Sequence, residues 1–210
     1  TSLIYAADRI ANTVGHYDAY RENLDTRGKL ELQVPNIDCS KNKDNKVYCM
    51  DSNILANEIK GDVVYIDPPY NSRQYSDTYH LLDNLALWKK PEVFGKAKKM
   101  DRSHIKSKYC SKDAVLEFQD LITKLNTKHI IVSYNNTENT KHGRSNAKIS
   151  FNQIKNILMK KGKTEINQID FKAFTTGKSK TDNHKEILFY CRVKWKNLSQ
   201  SVQQQDHPTE

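Results

Sequence analysis

Apolar positions along the chain fall into segments with one of two spacings. In residues 2–14, Leu3, Ile4, Ala7, Ile10, Ala11 and Val14 lie at helical spacing and predict one apolar helix face, closed by Gly15. Arg21 to Lys46 is polar and rich in turn residues, broken only by the alternation at Leu30-Glu31-Leu32. Val47-Tyr48-Cys49-Met50 predicts a short strand ending at Asp51. Asp62 to Ile66 predicts a second strand, ending at Asp67, and its β-branched run suits a strand buried on both faces of a parallel sheet. Tyr79 to Trp88 reads as helix, and Lys96 to Lys112 as a basic loop with little periodicity.

The second half is more regular. Ser111 is placed to cap a helix whose apolar positions are Val115, Phe118, Leu121, Ile122 and Leu125. His129 to Ser133 predicts a third buried strand. Ser150 and Gln153 form a capping-box pattern ahead of Phe151, Ile154, Ile157 and Leu158, with Gly162 as the stop. Ile166–Phe171 and Glu186–Val193 predict two more strands. With only the loop Thr175–His184 in prospect between them, they are expected to pair antiparallel. Alternation of this kind predicts an α/β fold: a mixed sheet, helices on both faces, and a C-terminal antiparallel strand pair. The expected division is a helical region over 1–45, a main domain over 46–196 and a disordered polar tail over 197–210.

Composition narrows the function classes. The chain has 210 residues, 37% of them hydrophobic and 28% charged, enough for one domain with a polar surface. A formal charge of +9 suits a polyanionic partner, and equally a lysine-rich solvated surface. No run of about 18 apolar residues predicts a membrane span, and the first residues lack a signal-peptide core. Cys39, Cys49, Cys110 and Cys191 show no metal-ligand spacing and read as reduced thiols of a cytosolic protein; no metal is expected.

Asp67-Pro68-Pro69-Tyr70 carries the chemistry. A chance match to this string in a chain this long is roughly a one-in-a-thousand event. It stands at the carboxyl end of a predicted strand, where open α/β sheets bind ligands. The exocyclic amine of adenine is a poor nucleophile because its lone pair is delocalised into the ring. A carboxylate (Asp67) and a peptide carbonyl (Pro68) accepting its two N–H bonds would draw the nitrogen toward tetrahedral geometry. The prolines hold φ and carry no donors of their own, so the acceptors stay fixed. Tyr70 offers a ring face for a flipped-out base. Arg73, Tyr75 and His80 follow the loop and are candidates for phosphate contact around that base. Lys98 and Lys99, in the basic run from Lys96, are candidates for the same role, against the bland reading of solvated lysines.

The segment resembles motif IV of the DNA amino-methyltransferases. Aspartate in first place is similar to the adenine-N6 enzymes rather than the cytosine-N4 ones. Asn71-Ser72-Arg73-Gln74-Tyr75, Tyr79-His80-Leu81-Leu82-Asp83-Asn84 and Asn12-Thr13-Val14-Gly15-His16-Tyr17 resemble the Dam-like, FokI-type class, from about residue 1 to Val193. The resemblance implies a Rossmann-like fold, S-adenosylmethionine as methyl donor, double-stranded DNA as substrate, and a restriction-modification setting in a bacterial cytoplasm. It implies that Asp51, with Asp67, contacts the donor, and that Ser133-Tyr134-Asn135-Asn136 lines the target-base pocket. Asp51 also fits an ordinary helix N-cap, and Ser133 to Asn136 an ordinary strand-to-helix loop. The class further implies a glycine-rich turn before the catalytic motif. No two of the seven glycines (Gly15, Gly28, Gly61, Gly95, Gly143, Gly162, Gly177) are close enough to make one. The chain, which opens on Thr1, is therefore expected to be a C-terminal fragment or one subunit of a split enzyme, leaving Val63–Ile66 on an open apolar edge. The alternative is a non-catalytic DNA-binding remnant.

Overall fold

The computed structural model describes residues 29, 31–36, 40, 44–69, 74–135, 147–170 and 185–194. The opening helix, the loop over 175–184 and the C-terminal tail lie outside them. In chain order the elements are α1 (Ser52–Leu55), β1 (Lys60–Ile66), α2 (Tyr75–Ala86), β2 (Val93–Phe94), β3 (Lys99–Met100), α3 (Ala114–Lys124), β4 (Asn126–Asn135), α4 (Phe151–Lys161), β5 (Gly162–Asp170) and β6 (Lys185–Val193). Two 3₁₀ turns, Ser103–Ile105 and Lys108–Cys110, lead into α3.

Four strands form a mixed sheet in the order β1-β4-β6-β5. β1 runs parallel to β4, while β6 is antiparallel to both β4 and β5. The antiparallel pairing of the last two strands is the one expected from the sequence. The register places Ile130 opposite Cys191, Val132 opposite Phe189, and Tyr134 opposite Ile187. All six are buried, so the period-2 alternation of both strands loads one face.

Helices α3 and α4 cover that face, and Ala56, just after α1, joins the same cluster. Ala114, Phe118, Leu121 and Ile122 repeat at helical spacing along α3, and Ile154, Ile157 and Leu158 do so along α4; all are buried in the same cluster as Ile130, Val132 and Phe189. Burying each such large side chain contributes about 1.5–3 kcal/mol. The capping box is present: the Ser150 hydroxyl accepts from the Gln153 N–H at 3.2 Å, and the Gln153 side chain accepts from the Ser150 N–H at 2.8 Å.

Several expectations are corrected. Val47–Met50 is not a strand: no described strand lies beside it to complete a ladder, and Val47 is 95% exposed. β1 is not buried on both faces. It is an edge strand whose Val63 and Tyr65 are 54% and 59% exposed, while Val64 and Ile66 turn to the core. Helices cover one face among the described residues, not both; α2 adds nothing to the core cluster. The basic loop holds the second strand of a hairpin, β3 pairing antiparallel with β2 just before the loop, and the two 3₁₀ turns. Ser111 does not cap α3. Asp113 holds the N-cap position, and the Ser111 hydroxyl instead closes the preceding turn, donating to the Lys108 carbonyl at 2.7 Å. Gly162 ends α4 but opens β5 at once in extended backbone. Glycine is needed there because a Cβ would lie 2.0 Å from the Arg192 carbonyl oxygen.

Candidate active site

β1 ends at Ile66, paired with Val132 of β4. Because the two strands are parallel, Asp67 leaves β1 on the side where β4 continues through Ser133 to Asn135. Asp67 is exposed, and Pro68 and Pro69 are half-buried behind it. Tyr70 and Arg73 lie outside the described residues.

Side chains from two other elements reach the motif's backbone. Tyr75, the first residue of α2, directs its hydroxyl at the Asp67 carbonyl, 3.4 Å away. Its ring packs on Tyr79 with centroids 6.1 Å apart. Burial, followed by the nearby Asp67 carboxylate, holds the phenol of Tyr75 above its ordinary pKa. Cys110, at the end of the second 3₁₀ turn, donates its thiol to the Pro69 carbonyl at 3.4 Å. Burial, and then the charge of Asp77, pushes that thiol up as well. Both groups thus remain protonated donors at neutral pH.

The same 3₁₀ turn grips α1. The Tyr109 hydroxyl donates to Asn53 Oδ1 at 2.7 Å, and the Asn53 amide donates to the Glu117 carbonyl at 2.9 Å and to Asp120 Oδ2 at 2.8 Å. Asn53 and Tyr109 are both buried. Asp51 caps α1, its carboxylate accepting from the N–H groups of Asn53 at 2.8 Å and Ile54 at 3.3 Å. The N-cap alternative for Asp51 is thus the bonding observed, and no strand delivers it.

The other expected residues are dispersed. Tyr134 is wholly buried, its hydroxyl donating to the Ile149 carbonyl at 2.7 Å and its ring edge-on to Phe189. Its side chain forms part of the core. Ser133 and Asn135 alternate to the other, half-exposed side of β4. His80 is buried in α2. Lys98 is exposed at the tip of the β2–β3 hairpin with φ of +50°, and Lys99 is half-buried. Lys99 lines a cavity of about 600 Å³ with Asp77, Phe94, Arg102 and Lys106; Arg102 is ion-paired to Asp77 at 3.1 Å.

Asn53, Tyr109 and Cys110 were not marked as site residues by their sequence. Asn53 stood in a recognisable capping pattern, but Tyr109 and Cys110 stood in a stretch without periodicity, and their importance is entirely a matter of what they touch.

A family model described as D12 class N6 adenine-specific DNA methyltransferase matches residues 1–142. The chain is 38% identical over 200 residues to the modification methylase StsI of Streptococcus sanguinis, covering 92% of this chain and 29% of that protein. It is 35% identical over 186 residues to the type II methyltransferase M.NlaIII of Neisseria lactamica, covering 88% of this chain and 52% of the relative. It is 38% identical over 197 residues to the type II methyltransferase M.FokI of Planomicrobium okeanokoites, covering 90% of this chain and 29% of the relative. The chain therefore spans between about a third and a half of these relatives. No solved structure matches it significantly. With Asp67-Pro68-Pro69 set at the end of a strand that leads into a sheet edge, and with that match over most of its length, the chain belongs to the D12 class of N6 adenine-specific DNA methyltransferases.

Proposed function

We propose that this chain carries the target-base half of an enzyme that methylates N6 of adenine in duplex DNA, as part of a restriction-modification system in a bacterial cytoplasm. The observation that carries the reading is the exposed carboxylate of Asp67 beyond the end of β1, beside Ser133. Next to it, the Pro68 carbonyl receives no hydrogen bond from any described residue. Two acceptors one peptide apart match the two N–H bonds of an extruded adenine's amine. The prolines cannot rearrange into helix or donate to a neighbour, so the acceptors are held ready. Once the nitrogen has formed its new bond it is cationic, and the Asp67 carboxylate stands where it can accept the surplus proton. Tyr70, Arg73, Ser133 and Asn135 are proposed to surround the base and its phosphates, and Lys98 and Lys99 to meet the backbone further out.

S-adenosylmethionine is the methyl donor in this family. The residues in hand make only one side of a site for it. Asp51 uses its carboxylate to cap α1, and the sequence has no close pair of glycines to admit the donor's carboxyl end. We therefore propose that a further segment, in the same chain or a partner, completes the donor site and pairs with the outer edge of β1, giving a Rossmann-like sheet. In this division, residues 1–45 are the remnant of a helical target-recognition region, 46–196 the catalytic half, and 197–210 a polar tail. The exposed Val63 and Tyr65, and the partial span of the relatives, support it.

The test is methyl incorporation into duplex DNA by the active enzyme. Asp67→Ala is expected to lower turnover on the order of 100- to 1000-fold; unchanged activity would refute the role. Titration of the donor into this chain alone is expected to show no binding at micromolar concentrations. Micromolar affinity without a partner would overturn the split donor site.

A further inference from the structure

The segment Asp67-Pro68-Pro69 has an unusual bonding problem. A loop ordinarily ties itself down through its own N–H groups, but Pro68 and Pro69 have none. Its carbonyls are the handles that remain, and there are three of them. The Asp67 carbonyl is taken by the hydroxyl of Tyr75, from the first turn of α2. The Pro69 carbonyl is taken by the thiol of Cys110, from the 3₁₀ turn before α3. The carbonyl between them, that of Pro68, receives nothing from the described residues. From this geometry we infer that Tyr75 and Cys110 are positioning residues for the methyl transfer: they clamp the carbonyls on either side and leave that of Pro68 as the acceptor presented to the target amine.

The two clamps come from independent elements. Cys110 is anchored by its neighbour Tyr109, bonded to Asn53 and packed in the core, so the turn that carries the thiol is fixed from behind. Tyr75 is held by the helix that it opens and by its contact with Tyr79. A thiol is a weak donor, but Cys110 itself is buried, which reduces competition from solvent for its hydrogen. Neither residue need touch substrate. Each acts by fixing the orientation of a peptide plane, and a displaced acceptor costs far more in rate than in binding.

The inference rests on the proposed reaction at Asp67, so Asp67→Ala is run alongside as its control. Four variants of the active enzyme are compared: Tyr75→Phe, which removes only the hydroxyl; Cys110→Ala, which removes the donor; Cys110→Ser, which restores one; and Asp67→Ala. Single-turnover methylation of duplex DNA, KM for DNA and thermal midpoint are measured for each. Tyr75→Phe and Cys110→Ala are expected to lower the methylation rate about tenfold each, with KM for DNA within about twofold of wild type. Cys110→Ser is expected to recover most of the rate. If Asp67→Ala is inactive while Tyr75→Phe and Cys110→Ala turn over as wild type, the clamp is wrong and the active site stands. If Asp67→Ala itself retains full rate, the reading of the site fails first. If Cys110→Ser is as slow as Cys110→Ala, the cysteine acts through packing and its donor role is overturned.

Discussion

Asn53 shows how much one small side chain can organise. Its amide donates to α3 at two points and accepts from Tyr109, so α1, α3 and the 3₁₀ turn meet on a single buried group. Asn53→Leu keeps the branched shape and removes the side-chain bonds, leaving Tyr109 and Asp120 to find other partners. It is expected to lower unfolding free energy by about 2–3 kcal/mol, read from urea denaturation. Tyr109 gives a pH signature. Burial raises its pKa well above that of a free phenol. The stabilisation this represents is present below the unfolded value, about 10, and is lost as pH rises beyond it. The urea midpoint of the wild type is expected to fall between pH 9 and 11 by more than that of Tyr109→Phe. Equal falls would show that the phenol is not responsible. At this scale the sequence made Asp67 legible, because the string Asp-Pro-Pro-Tyr is rare and its chemistry follows from residue type. It gave no sign of Cys110, whose hydrogen-bond partner lies 41 positions away.

The elements were legible wherever periodicity and local chemistry agreed. α4 has an apolar stripe, a capping box and a stop residue, all realised. Ser150→Ala is expected to cost about 1 kcal/mol, measured by thermal or urea unfolding, since it removes the hydroxyl of that box. Gly162→Ala is expected to be worse, about 2 kcal/mol or more, because the new methyl would meet the β6 backbone and neither strand can give way. A loss under 0.5 kcal/mol would mean that the β5–β6 pair adjusts there. Where periodicity stood without a partner the reading failed. Val47–Met50 has the residues of a strand, but strand residues become a strand only when a neighbour takes their backbone hydrogen bonds. β1 is the complementary case: its apolar run did become a strand, yet Val63 and Tyr65 point to the face that no described helix covers and stay in solvent.

Across the whole molecule, the open flank of β1 and the positive charge lead to separate measurements. Exposed apolar side chains on an edge strand favour association. Val63→Lys with Tyr65→Lys is expected to reduce self-association of this chain in sedimentation velocity while changing its thermal midpoint little. A charge of +9 set against duplex DNA is expected to give an affinity that falls steeply with salt, the slope reporting the number of phosphates neutralised. Lys98→Ala with Lys99→Ala is expected to reduce that slope by about 2 and leave single-turnover methylation at saturating DNA unchanged. Among the described residues no helix is long and apolar enough to cross a membrane.

Several features of this protein follow from the sequence alone: the existence of β1, β4, β5 and β6, the helices α3 and α4, the antiparallel closing pair, and an Asp-Pro-Pro motif at a strand end. Each depends on local spacing or on the chemistry of adjacent residues, which the linear order contains. Tertiary structure alone decided that β1 lies at an edge, that helices cover one face among the described residues, that Tyr134 belongs to the core, and that Tyr75 and Cys110 grip the carbonyls beside Pro68. These depend on which surfaces and which polar groups meet across tens of residues. Burial and hydrogen-bond partners are properties of the packed chain, so they could be settled only once β1 and β4 lay side by side and the turn at Cys110 closed beneath the prolines.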